Sequence, residues 1–518
     1  MKTALTTAAA AVLAMALAAC GGGTGATTVD GGTFTLVSAG DPGNLDPHFT
    51  SLSVTIQADR FLYDTLVNVD SGGALTAGLA EKWEGDTTTA KYTLRKGVTC
   101  SDGTPLTASQ VADNINFVSD PANAAASLGL YVMPGAKATA DDAAGTVTVT
   151  SATPDSFLVR NIGGLFIVCG RGMADRSILR QGADGTGMFT LTEAVAGDHY
   201  TLTRRKDYAW GPGDWKTDTR GLPDTVVIRV VGNELTASNL LVSKEVNAAA
   251  VVGPDQQRLK GMGLTQHDTE SPLGELWFNQ RPAVPGADVA VRRALTQALD
   301  LGQLGQVLTS GTGKPANGLL APGLGPCGAD TIAGLLPASD ADAAKSGLDA
   351  AGWVAGADGV RTKGGKRLAL TFYYPSTLGS TMQAAAELVQ QRWSAVGAEV
   401  ALKGMTDTES TQVLMEGNWD AALVPLGVFL PSQLVPFFSG SANNFAAVDN
   451  PAYEAAVQQA TTIAGADGCG KWAEAEQALV RELNVVPFVN AVRPTFVQGA
   501  TLETSQGSID PASIRMLG

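Results

Sequence analysis

LTAGLAEKWEGDTTTAKYTLRKGVTCSDGTPLTASQV, residues 75–111, reads as strand, turn and capped helix in succession. Lys91-Tyr92-Thr93-Leu94 alternates polar and apolar side chains, the period of a strand with one buried face. Ser101-Asp102-Gly103-Thr104-Pro105 has the chemistry of a tight turn, in which Gly accepts unusual backbone angles and Asp bonds its own backbone. Thr107 then stands where a hydroxyl can accept from a free N–H and cap a helix beginning near Ala108.

Outward from this segment the chain alternates strand and helix patterns. Thr33 to Val37 alternates as a first strand, and Asp41-Pro42-Gly43-Asn44-Leu45-Asp46-Pro47-His48 is loop chemistry. Val54 to Val67 reads as a helix. Val291, Leu295, Ala298 and Leu299 share a helical face, as do Met382, Ala386, Val389, Trp393 and Val396. Trp83, Trp353 and Trp393 read as core. The order of segments resembles the bacterial extracellular solute-binding proteins of family 5, the peptide, nickel and opine receptors of ABC importers. Leu79-Ala80 to Val111 is similar to that family's "LA-x-x-W … F-x-LR-x-x-V-x-F-x-DG-x-P-x-x-A-x-D-V", with Cys100 where an aromatic is usual and Gln110 where an acid is usual. Tyr63-Asp64-Thr65-Leu66 resembles "YE-x-L". Gly185-Thr186-Gly187-Met188-Phe189 resembles "GTGPY", with Met188 for Pro. Tyr208-Ala209-Trp210 resembles "YW" with one residue inserted, and Trp419-Asp420-Ala421-Ala422-Leu423 resembles "yD-x-x-l".

The resemblance implies an α/β, two-lobed periplasmic-binding-protein-like fold (type II, cluster C) with an additional subdomain in the first lobe. Lobe I is expected to comprise 33–270 plus 490–518, with the inserted subdomain at about 60–190, and lobe II 271–489. A chain of 518 residues exceeds one ordinary core, which agrees with two lobes. Four cysteines remain after Cys20, and three connectivities are open to them. The lobe division places Cys100 with Cys169 and Cys327 with Cys469.

Met1-Lys2 followed by the apolar run Ala8 to Ala19 reads as an export signal, 1–20. Leu17-Ala18-Ala19-Cys20 resembles a lipobox, which implies lipidation of Cys20 and a flexible tether over 21–32. The mature protein is then expected outside the cytoplasm, anchored to the cell membrane. No later run reaches about eighteen uninterrupted apolar residues, the length that spans a bilayer.

The net charge of −15 argues against a nucleic-acid partner, which requires a basic face. The three His form no HExxH, and there is no GxSxG. Gly323 to Gly328 fits GxGxxG but contains Pro and lacks the flanking strand and helix, so a dinucleotide site is rejected. No cofactor, metal or enzymatic activity is implied. The resemblance implies a monomer that hands its solute to an ABC permease with its ATPase subunits. The expected solute is a peptide or peptide-like compound. The alternatives are a non-peptide solute (an apolar compound, a sugar or a metal chelate), or a surface interaction protein that has lost uptake. The family's peptide receptors meet the ligand's amine with a carboxylate about nine positions after the Asp of "yD-x-x-l". Counting from Asp420 reaches Phe429, in a run (Val424 to Pro431) without an acid. Asp407 and Asp41 are the candidate substitutes. Leu426, Val428 and Phe429 would form an apolar floor, and Thr50, Ser51, Trp277 and Asn279 are cleft-lining candidates by position.

Overall fold

The computed structural model describes residues 27–518 except Ser51, Asp214, Pro254, Ser441 and Ala442, and only the backbone of Asp407, Thr408, Ser410 and Thr411. Its organising element is one mixed sheet, eleven-stranded among the described residues. From one edge the strands run Glu399–Met405, Ala369–Pro375, Ala421–Leu423, Thr265–Phe278, Val485–Val497, Ala248–Ala250, Thr33–Ser38, Thr225–Val230, His199–Arg204 and Phe189–Val195. Lys314–Pro315 pairs separately with Val485–Val497. Two long strands, Thr265–Phe278 and Val485–Val497, pair antiparallel from Thr265↔Val497 to Trp277↔Val485 and so belong to both lobes. The expected lobe boundaries at 270/271 and 489/490 fall inside these strands.

The alternating residues at 89–94 form the strand Thr89–Leu94, with Ala90, Tyr92 and Leu94 buried. It belongs to a separate four-stranded antiparallel sheet with Ala80–Gly85, Thr146–Thr150 and Lys137–Asp141. The helix Ala108–Ser119 packs over it, capped by Thr107. Thr107 Oγ1 accepts from Gln110 N at 3.2 Å, and Gln110 Oε1 accepts from Thr107 N at 3.1 Å. Gln110 therefore completes a capping box that an acid would also complete, so the departure from the family pattern costs the helix no cap.

The apolar stripes lie where their spacing places them. Val291, Leu295 and Leu299 are buried with Met382, Ala386, Val389 and Trp393 in the core of the second lobe. Trp353 is buried too, whereas Trp83 is half-buried against the core of the first lobe. The helix expected over Val54 to Val67 stops earlier, as Ser53–Leu62. β-Branched Thr65, Val67 and Val69 follow, and Val67–Val69 pairs with Leu75–Ala77. From Thr28 the segment read as tether is fastened to the body. Thr28 bridges to Leu517, Val29 N donates to Met516 O, and Gly31 N donates to Leu222 O. Cys20 and the signal segment lie outside the described residues. Among the described residues no helix is long and apolar enough to cross a membrane.

Cys100–Cys169 and Cys327–Cys469 are both disulfide-bonded, the pairing expected from the lobe division. The second spans 142 residues of sequence, so it restricts a long unfolded loop. Replacing Cys327 and Cys469 together with Ser is expected to cost about 2–4 kcal/mol. A lower thermal midpoint and earlier proteolytic nicking within 271–489 check this; an unchanged midpoint refutes it.

Candidate functional site

The two lobes touch through residues 156–163, which pack on the four-stranded sheet. Arg160 comes from the helix Leu158–Gly163, behind the four-stranded sheet, and spans the junction. Its Nη1 donates to Gly73 O at 2.9 Å and its Nη2 to Leu324 O at 3.0 Å. Gly73 lies on the first-lobe side and Leu324 on the second. Both acceptors are neutral carbonyls, and burial draws the Arg160 pKa below its ordinary value. Ser156 adds two more bonds, donating from Oγ to Ala460 O and accepting from Gly465 N. A Cβ at Gly325 would collide with Phe429 O, and one at Gly73 would press on Gly325 O at 3.1 Å. Glycine at these two positions lets the backbones meet.

Beside this junction lies a cavity of about 170 Å³. The first lobe lines it with Arg60, Asp64, Tyr131, Phe166 and Tyr208, and the second closes it with Leu324 and Phe429. The segment Asp510 to Ala512 forms a further wall. A dry cavity of about 150 Å³ holds a benzene ring, so this one suits a compact solute. The loop bearing Phe429 is held from below. Gln433 Oε1 accepts from Phe429 N and Leu430 N, each at 3.0 Å. Val428 O accepts from Ala321 N at 2.8 Å. Leu426 N donates to Glu275 Oε2 at 2.9 Å, and Trp277 Nε1 donates to Val424 O at 2.9 Å. Burial raises the Glu275 carboxyl far above its ordinary range, with the bond from Leu426 opposing. Its Oε1 has no hydrogen-bond partner.

Residues 74–445 match the model of "Bacterial extracellular solute-binding proteins, family 5 Middle". The chain belongs to this family. It is similar to Protein XP55 of Streptomyces lividans, 29% identical over 391 residues, 71% of this chain and 67% of that one. It is 27% identical over 421 residues to the nickel-binding periplasmic protein of Escherichia coli (strain K12), 76% of each. Among solved structures it resembles a substrate binding protein from Microbacterium hydrocarbonoxydans complexed with 4-hydroxybenzoate hydrazide. The TM-score is 0.69 at 26% identity, over 93% of this chain and 99% of that one. The two-lobed α/β architecture is the family 5 fold, and the family consists of substrate-binding receptors.

In this family 5 protein the residues singled out from sequence separate into groups. Phe429 lines the cavity, and Leu426 lies half-buried behind it. Trp277 and Asn279 are not cleft-lining in this structure. Trp277 is fully buried, stacked on Phe438 at 4.8 Å between ring centroids. Asn279, equally buried, donates to Gly417 O at 3.0 Å and Trp419 O at 2.6 Å. The strand is buried without alternation from Gly274 to Phe278, and Asn279 just past its end is buried too, so position there does not mark exposure. Asp41 lies in a different hollow, beside Tyr200 and Arg180. Its carboxylate accepts from Tyr200 Oη at 2.6 Å, from Gly43 N at 2.7 Å and from Gly197 N. Burial would raise its pKa, but these three bonds outweigh it and hold the value low. Thr50 Oγ1 accepts from Leu52 N at 3.1 Å, beside the first helix. Ser51 and the side chain of Asp407 lie outside the described residues.

Sequence reasoning missed Arg60, Asp64 and Arg160 as site residues. Asp64 had a visible signal, because three of the family-like segments converge on it. Tyr208 Oη donates to Oδ1 at 3.0 Å, and Trp210 Nε1 and Thr186 Oγ1 donate to Oδ2 at 2.9 and 3.0 Å. Among the described residues no group of three or more His, Cys, Asp and Glu is placed to hold a metal ion.

Burial pushes the Asp64 carboxyl up to about 6, against the opposing bonds from Trp210, Thr186 and Tyr208. This exceeds the unfolded value of about 3.9, so the folded chain binds this proton more tightly. The resulting stability is fully present below about pH 4 and is lost as pH rises through about 6. Asp64→Asn cannot titrate. Its stability relative to wild type is expected to rise by about 2–3 kcal/mol between pH 4 and 7. Denaturant unfolding at a series of pH values checks this, and parallel profiles would exclude Asp64 as the titrating group.

Proposed function

We propose that this protein is the lipid-anchored receptor of an ABC importer, taking a compact peptide or peptide-like solute into the cavity between its lobes. The observation that carries this reading is the closure of that cavity by Phe429, at the position where the family's peptide receptors place a carboxylate. An aromatic ring there replaces a charged contact with an apolar one. It favours an apolar or aromatic group of the solute over a free amine at that point. Arg60 and Asp64 supply polar wall on the opposite side, the mixture that fixes a ligand's orientation.

A non-peptide aromatic solute is the second reading. It is favoured by cavity size together with the solved relative from Microbacterium hydrocarbonoxydans, whose ligand is a single-ring hydrazide. Lobe closure around the solute would present the receptor to a permease with its ATPase subunits. Leu17-Ala18-Ala19-Cys20 supports the lipid anchor.

Native mass spectrometry of the mature protein, challenged with a dipeptide and tripeptide library and a set of single-ring aromatic acids, separates the readings by adduct mass. Phe429→Ala is expected to weaken ring-bearing adducts by about 10- to 100-fold, the worth of one buried aromatic contact. Undiminished binding by that variant would remove Phe429 from the site. Cys20→Ser is expected to move the protein from the membrane fraction to the soluble extracytoplasmic fraction. Retention at the membrane would refute the anchor.

A further inference from the structure

Arg60 closes the last turn of the helix Ser53–Leu62 and reaches across to the C-terminal segment. Its Nη1 donates to Ser505 O at 2.8 Å and its Nη2 to Ser505 Oγ at 2.6 Å. Both acceptors are uncharged. A guanidinium has five N–H donors and stays protonated in proteins. The remaining donors find no acceptor among the described residues, and Arg60 lines the cavity. Desolvation weakens its charged state, with Asp510 and Tyr131 opposing from a distance, yet among the described residues no carboxylate forms an ion pair with it. A half-buried guanidinium bonded only to neutral acceptors is costly, and a pairing anion recovers part of that cost.

We propose that Arg60 is the anion anchor of the cavity, and that the bound solute carries a single carboxylate paired with this guanidinium while its apolar part lies toward Phe166 and Phe429. The inference rests on the cavity being the solute site. Its walls decide the charge. Asp64 and Asp510 line the same space. The Asp64 oxygens are already engaged by Tyr208, Trp210 and Thr186, and Asp510 Oδ1 accepts from Ala512 N. One guanidinium can pair with one carboxylate, whereas a dianion such as a phosphate monoester, beside Asp64 and Asp510, would leave a second negative charge without a partner. A carboxylate also matches the planar, two-pronged geometry of the guanidinium. Tyr131, close enough to Arg60 to feel its charge, presents its ring to the same cavity.

The test titrates the mature protein calorimetrically with acid and amide pairs: benzoate and benzamide, phenylacetate and phenylacetamide, and glycyl-phenylalanine and its C-terminal amide. Wild type is expected to bind the acid of at least one pair about 10- to 100-fold more tightly than its amide, the range of a charge-assisted hydrogen bond. Arg60→Met should abolish that preference while binding of the amide persists. Arg60→Lys should retain part of it, because it keeps the charge without the fork. Phe429→Ala should weaken acid and amide alike. If Arg60→Met does not fold, as circular dichroism would reveal, the wild-type preference and the Lys variant still decide. Equal binding of acids and amides, or an acid preference untouched in the folded Arg60 variants, overturns the anchor and leaves the cavity reading intact. No binding of any probe compound, acid or amide, overturns both.

Discussion

The antiparallel ladder between Thr265–Phe278 and Val485–Val497 is the constraint on which the rest of the structure depends. It carries main-chain hydrogen bonds from one lobe into the other, so the lobes share a sheet and do not hang on a loose linker. Its register breaks around Pro272, Gly274 and Glu275. Such an irregularity bends a strand and increases its twist. Gly274 is required there, since a Cβ would meet the Phe488 ring at 2.5 Å. Immediately beyond the break come Glu275 and Trp277, whose side chains hold the loop that carries Phe429. The position of the cavity wall is thus set by the same strand that joins the lobes.

Contact between the lobes has an unusual electrostatic form. Arg160 lies at the junction, 7% exposed, with only carbonyl acceptors across it and its Nε unpartnered. Carbonyl bonds orient a guanidinium without neutralising it, so this contact gives registration more than net stability. The apolar part of the junction, Phe157 near Trp472 at 6.4 Å between centroids, supplies burial that the arginine does not. A junction with this balance leaves solute contacts to contribute to closure, as expected of a receptor whose two states differ by a few kcal/mol.

The fold was legible because its signals are local and repeated. Thr107, the alternation at 91–94 and the stripe from Met382 to Trp393 each report a backbone geometry within a few residues. The disulfides were legible because dividing the chain into lobes reduced three pairings to one. The site was less legible, because it is built from side chains far apart in sequence whose neighbours do not betray them. Arg60 lies in a helix otherwise read by its apolar face, and its partner Ser505 is 445 residues away. Trp277 and Asn279 misled for a related reason: alternation disappears where the end of the strand, from Gly274 to Phe278, is buried on both faces, and inward and outward residues then look alike. Phe429 was reached only by counting from Asp420, whose Oδ2 accepts from Thr371 N at 2.7 Å and so fixes the start of that count in the sheet.

A net charge of −15 repels an anionic solute only over a limited range. At physiological salt the Debye length is about 8 Å, so the dispersed surface carboxylates act on an approaching monoanion only near contact. Inside the cavity, screening is weak and the nearest groups dominate. There Asp64 is drawn toward its neutral form by burial, with a pKa near 6, while Arg60 keeps its charge. An acidic surface governs solubility and the rate of encounter, while the groups that line the cavity govern what is retained.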